Sequence, residues 1–169
     1  MRIAPLTAGQ AREICTWRYA GPWSVYDGSA PPPDPADGFV AVVDDHTATG
    51  APSFVGFACF GTEARVPGLA PEPDLLDVGI GMRPDLVGHG LGRRFLGTVL
   101  AHARTTFQPV AFRCVVQEWN RRSLRVVEAM GFVPVETLDV PQGGATVRYV
   151  VLHLAVPQSD RNGDPPSRR

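Results

Sequence analysis

The spacing of apolar positions divides the chain into short strands and three helices. Ile3–Leu6 is a strand candidate. Thr7 then caps a helix over about residues 8–19, with Ala11, Ile14, Cys15 and Trp17 on one side. Gly28–Gly38 carries four prolines and cannot be regular structure. Phe39–Asp44 and Phe54–Phe60 read as strands around a polar turn region, Asp45–Ser53. A second Pro/Gly-rich loop runs from Gly61 to about Asp74, and Leu75–Met82 is the next strand. A helix over about Gly90–Phe107 sets Leu91, Phe95, Leu96, Val99, Leu100 and Ala103 at three- to four-residue spacing, a core-facing stripe. Val110–Val116 is a strand, and Arg121–Met130 is a helix that Gly131 ends by adopting positive φ. Phe132–Leu138 and Val147–Val156 form a final antiparallel pair, and the polar, proline-bearing 157–169 is a disordered tail. This order predicts an α/β chain of the α+β kind: one domain over 1–156, a mixed sheet of about seven strands, helices on both faces. It fits neither a doubly wound parallel fold nor a sandwich.

Composition narrows the chemistry. The 169 residues are 44% apolar and 20% charged, with a formal net charge of −1. That is enough apolar material for a packed core and too little charge for general attraction to nucleic acid. No run approaches the ~20 apolar residues of a membrane span. The first residues lack the apolar core of a signal peptide, so the expected location is cytoplasmic. All 16 basic residues are arginine. A lysine-dependent phosphate loop and lysine Schiff-base chemistry are thereby excluded. Cys15, Cys59 and Cys114 are scattered, with no CxxC pair, and the four histidines show no ligand spacing, so neither a disulfide frame nor a metal site is expected.

The chemically informative stretch is Leu75–Arg94, LLDVGIGMRPDLVGHGLGRR. A strand stops before Pro84, and Gly88-His89-Gly90-Leu91-Gly92 opens a helix. Glycines at such a turn leave backbone N–H groups uncovered for a ligand. Arg93 and Arg94 sit in the first helical turn, where the helix dipole disfavours cations by about 0.3–1 kcal/mol each. The only acid nearby in the sequence is Asp85. A bound anion, phosphate above all, would resolve the oddity, although a glycine-rich turn with two solvated arginines would show the same residues. A dinucleotide fingerprint fits less well, because the third glycine comes one residue early.

The segment Val87–Gly92 resembles the pyrophosphate loop of GNAT-type N-acetyltransferases, (Q/R)xxGx(G/A), and Met82-Arg83-Pro84-Asp85 resembles the link before it. Asn120–Phe132 is similar to the second family motif, NxxSxxxxExxGF, nearest the ribosomal-protein-alanine acetyltransferase branch. The two motifs match in order and spacing. The resemblance implies an acyl-CoA N-acyltransferase fold that uses acetyl-CoA and releases coenzyme A. It implies that Ile80, Gly81 and Met82 offer backbone groups to the pantetheine arm. Gly88, His89, Gly90, Leu91, Gly92 and Arg93 would wrap the pyrophosphate. Asn120 would bond the arm and Ser123 would face the thiol, while Arg121, Arg122 and Arg125 could face the 3′-phosphate. Asp77, ten residues before Val87, and Glu118 are the candidate bases. Trp17, Tyr19, Trp23 and Tyr26 are the candidate acceptor wall.

Two positions depart from the family pattern. Val87 replaces Gln or Arg, and Val127 replaces the frequent tyrosine acid, leaving Ser123 or water to protonate the thiolate. The expected activity is direct acetyl transfer to a primary amine, on a protein N-terminus or a small molecule, with no nucleic acid or membrane partner. A non-catalytic acyl-CoA-binding module on the same fold is the alternative.

Overall fold

The computed structural model describes residues 1–46 and 51–157, so the tail expected beyond Pro157 lies outside the described residues. Seven strands form one sheet: β1 Arg2–Pro5, β2 Val40–Asp44, β3 Ser53–Phe60, β4 Leu75–Met82, β5 Ala111–Gln117, β6 Val133–Gln142 and β7 Ala145–Ala155. Their order is β1-β2-β3-β4-β5-β7-β6. Three helices accompany them: α1 Ala8–Cys15, α2 Gly92–Phe107 and α3 Arg121–Ala129. The sheet is mixed, because β4 and β5 run parallel while β1–β2, β2–β3, β5–β7 and β6–β7 run antiparallel.

The chain divides into two compact units. One comprises Met1–Cys59 and Ile80–Val99; the other comprises Phe60–Gly79 and the residues from Leu100 onward. In the first unit, Leu6, Ala11, Ile14, Trp17, Ala41, Val43 and Phe54 form a buried cluster. The Trp17 ring lies 5.7 Å from Phe54 and 5.9 Å from Phe57, close enough for aromatic packing. Thr7 caps α1 as its sequence indicates. Its Oγ1 accepts the Gln10 amide at 3.2 Å, and the Gln10 side chain accepts the Thr7 amide at 2.9 Å. The helix stops at Cys15, four residues earlier than its apolar spacing suggests, since the Thr16 hydroxyl and amide both turn back onto the Glu13 carbonyl.

In the second unit, Phe112, Val151 and Leu152 are fully buried, and Phe60 packs on Phe107 at 5.0 Å. β6 and β7 are longer than the sequence pattern implies and meet in a hairpin at Gly143-Gly144. Both of these glycines have positive φ, 57° and 81°, as a two-residue turn matching strand twist requires.

The β4·β5 ladder is short. Its register pairs are Leu75↔Ala111, Leu76↔Phe112 and Asp77↔Arg113, although each strand continues for at least four residues more. Elsewhere on β4, the Gly81 backbone lies so close to β3 that a Cβ at Gly56 would collide with the Gly81 carbonyl oxygen and the Phe95 ring. Overpacking of this kind typically costs about 1–3 kcal/mol. Gly56→Ala is therefore expected to lower unfolding stability by about that amount, read as a fall in urea midpoint at unchanged m-value.

Candidate active site

The turn before α2 has the character its glycines suggest. Pro84 ends β4's extended run, a single 3₁₀ turn covers Pro84–Leu86, and the chain then passes through Gly88 at φ 91° and Gly90 at φ 76°. Both are exposed, and a Cβ at either would meet nothing within 4 Å. Positive φ is thus the reason for glycine here, and the space beside it is open. The first chain carbonyl used by α2 is that of Leu91, which accepts the Phe95 amide at 2.9 Å. Among the described residues, the amides from Gly88 through Arg94 reach no protein acceptor. Seven N–H groups at the positive end of a 16-residue helix are free for an anion.

The two arginines of the first turn part company. Arg94 makes a two-pronged pair with Asp44 of β2, at 3.1 and 3.2 Å. The His46 amide, with Arg94 adding to it, holds the Asp44 carboxyl below the usual carboxylate range. The expectation that Asp85 is the only acid at hand is corrected here: the fold brings Asp44 from 50 residues away. Asp85 itself is bound by Arg83 through two contacts, at 2.7 and 3.0 Å, and Arg83 also donates to the Phe54 carbonyl at 2.9 Å. That leaves Arg93 and His89, both exposed, as the side chains able to add to the turn's positive field.

On β4, Ile80 is 42% exposed, unusual for an isoleucine inside a strand. Gly81 is pressed against the Phe57 ring. The Met82 carbonyl accepts the Tyr19 hydroxyl at 2.7 Å. The Tyr19 amide in turn donates to the Asp27 carboxylate at 2.7 Å. Burial, with the Asp27 charge assisting, pushes the Tyr19 phenol up to about 12. Tyr19 therefore acts as a brace under the end of β4.

The expected acceptor wall does not hold together as one group. Trp17 is buried in the first unit's core with Ala11 and Ile14 and cannot meet a ligand. Tyr19 is spent on Met82. Trp23 and Tyr26 lie in the 3₁₀ turn Gly21–Tyr26, half-buried and exposed respectively. They remain surface residues able to face an acceptor.

In the second unit, Asn120 is buried and caps α3, its side-chain oxygen accepting the Ser123 amide at 3.2 Å. Ser123 is half-buried in the first turn of that helix, and Arg121, Arg122 and Arg125 are exposed along it. Val127 is buried in the core, so the tyrosine position of the family pattern is here a packing position. Glu118 is exposed just past β5, and its amide donates to the Arg148 carbonyl at 2.9 Å. Cys114 is buried, which pushes its thiol up to about 12 and removes it as a nucleophile.

Asp77 is buried within an ion pair. Arg113, its partner on β5, donates to both carboxylate oxygens at 2.6 and 3.1 Å. Arg65 stands 3.5 Å from the same group. Sequence reading missed Arg113 altogether, since an arginine inside the apolar run AFRCVV gives no periodic signal of a buried charge. The acid ten residues before Val87 was visible, but its partner was not.

Among the described residues, no helix is long and apolar enough to cross a membrane. No curated protein matches the chain. Solved structures do. A GNAT-family acetyltransferase from Bacillus anthracis is similar with a TM-score of 0.54 at 14% identity, over 69% of this chain and 65% of its own, so the chain spans slightly less than two thirds of that relative. The ribosomal-protein-alanine N-acetyltransferase from Escherichia coli gives a TM-score of 0.58 at 14% identity, over 90% of this chain and 92% of its own. A chimera of spermidine N-acetyltransferase SpeG from Vibrio cholerae and hSSAT gives 0.64 at 14% identity, over 96% of this chain and 98% of its own. At such identities the likeness is one of fold. The sequence profile of the Acetyltransferase (GNAT) domain matches residues 4–133. With that profile covering most of its length, the chain belongs to the GNAT acetyltransferase domain family.

Proposed function

We propose that the protein is an acetyl-CoA-dependent N-acetyltransferase that moves an acetyl group directly to a primary amine. The observation that carries the reading is the set of unpartnered amides from Gly88 through Arg94, in an exposed turn whose glycines leave room for a bulky anion. A diphosphate supplies the acceptors those donors lack, with helix dipole and hydrogen bonding acting in the same direction. Arg93 adds charge at the rim, and His89 adds a ring N–H. Arg94 adds little, because Asp44 already neutralises it.

In this reading the end of β4 would hold the pantetheine arm, with Ile80 able to supply apolar contact and the strand backbone able to supply hydrogen bonds in the manner of an added strand. Tyr19 keeps the Met82 carbonyl fixed, so this stretch of backbone is held in place before the cofactor arrives. Acetyl-CoA, when bound, supplies an activated thioester and a thiolate leaving group. The chain's own contribution is to orient the arm, to admit the amine in neutral form and to return a proton. Asn120, Ser123 and Glu118 are the residues proposed for those tasks, with Ser123 nearest in role to the missing tyrosine acid and Glu118 free to relay a proton through water. The acceptor is a small amine or a peptide N-terminus that meets Trp23 and Tyr26.

Calorimetric titration should show acetyl-CoA binding in the micromolar range, and Gly90→Glu should abolish it by placing a side chain and a negative charge in the turn. A parent chain that binds no acetyl-CoA would sink the reading. Arg93→Ala is expected to weaken binding about three- to tenfold, increasingly at low salt, because an exposed cation contributes a screened interaction. The Tyr19 phenol stays protonated to about pH 12. Tyr19→Phe should therefore lower kcat/KM by one constant factor from about pH 6 to about pH 9, with no shift of the profile. A pH-dependent effect would mean that the phenol itself exchanges protons during turnover.

A further inference from the structure

The β4·β5 ladder ends at its third pair, and the residues of that pair are Asp77 and Arg113. Register partners project to the same face, which is why the two side chains meet. Arg113 is 1% exposed and Asp77 is 6% exposed. Besides its two bonds to Asp77, the guanidinium donates to the Ala70 carbonyl at 2.7 Å and pairs with Glu72. One buried side chain thus ties the last rung of the ladder to the 61–74 loop.

We propose that Arg113 is a positioning residue for the reaction, and that Asp77 is its fixed counter-ion and takes no proton from the amine. This rests on the acetyl-transfer reading given above. A guanidinium keeps its charge at every working pH, so its burial is tolerable only while a counter-charge stays beside it. Protonating Asp77 would leave that cation facing the half-exposed Glu72 alone, in a site that Arg65 already makes more positive. On its other side, the register partner of Arg113 is His153 of β7. What the pair does is set the length of β4 left unpaired for a cofactor arm, while holding Ala70 and Glu72 of the neighbouring loop in register with it.

The test uses the full chain as wild type, as Asp77→Asn, and as the paired variant Asp77→Leu with Arg113→Met, which removes both charges together. Binding of acetyl-CoA by the wild type checks the underlying reading separately. Asp77→Asn is expected to lose about tenfold or more in kcat/KM, with the acidic limb of its pH profile where the wild type has it. The paired variant should lose less than Asp77→Asn, since the buried guanidinium and its counter-ion leave together and only the less buried Arg65 and Glu72 lose a partner. A base at Asp77 predicts the reverse: about 10²–10⁴-fold loss in both variants and disappearance of the acidic limb. That outcome overturns the proposal. A readout independent of activity and of variant folding is the Nε–H signal of Arg113 in wild-type NMR. It should stay protected from solvent exchange with acetyl-CoA and amine at saturation, and loss of protection on their addition would equally overturn the proposal.

Discussion

A buried guanidinium dictates its surroundings more strictly than any other side chain, because it can neither lose its charge nor leave its five donors unmet. Arg113 sits in the second unit under that constraint, and much follows from it. The Asp77 carboxyl lies beside it, the Ala70 carbonyl faces it, and Glu72 reaches in from the loop. The ladder between the two parallel strands ends at this point. Isolated in water such a pair would contribute little. At this depth, removing one partner is what does the damage.

In the first unit the governing quantity is a surplus of donors. The α2 N-terminus presents positive potential that two arginines would make worse, and the fold disposes of one of them by setting Asp44 beside Arg94. Asp85 is likewise committed to Arg83. Both nearby carboxylates are committed to arginine side chains, and neither bonds an amide of the glycine turn.

Much of this was legible in the sequence. The stripe on α2, the Thr7 cap and the glycine turn each rest on local rules, and each is found within a few residues of its expected place. The glycine turn and the Asn120–Phe132 motif likewise sit where the family pattern sets them, at helix starts. What escaped depends on contacts between distant residues. Arg94 appears solvated until Asp44 arrives from 50 residues away, and Arg113 is hidden in a run that reads as plain strand. The Gly143-Gly144 hairpin is a different case: its signal was present, and the polar flanks on both strands concealed it.

Every side-chain ion pair described, from Arg2–Asp45 to Arg148–Asp139, uses a guanidinium as its cation. An ammonium side chain sheds its proton readily enough to attack an acyl donor, whereas a guanidinium does not. For a chain that holds a reactive thioester as proposed, this has a chemical benefit: the groups that would grip the donor's phosphates are immune to being acylated by it. Self-modification, which would erase the very charges that attract the ligand, has no side-chain amine on which to begin.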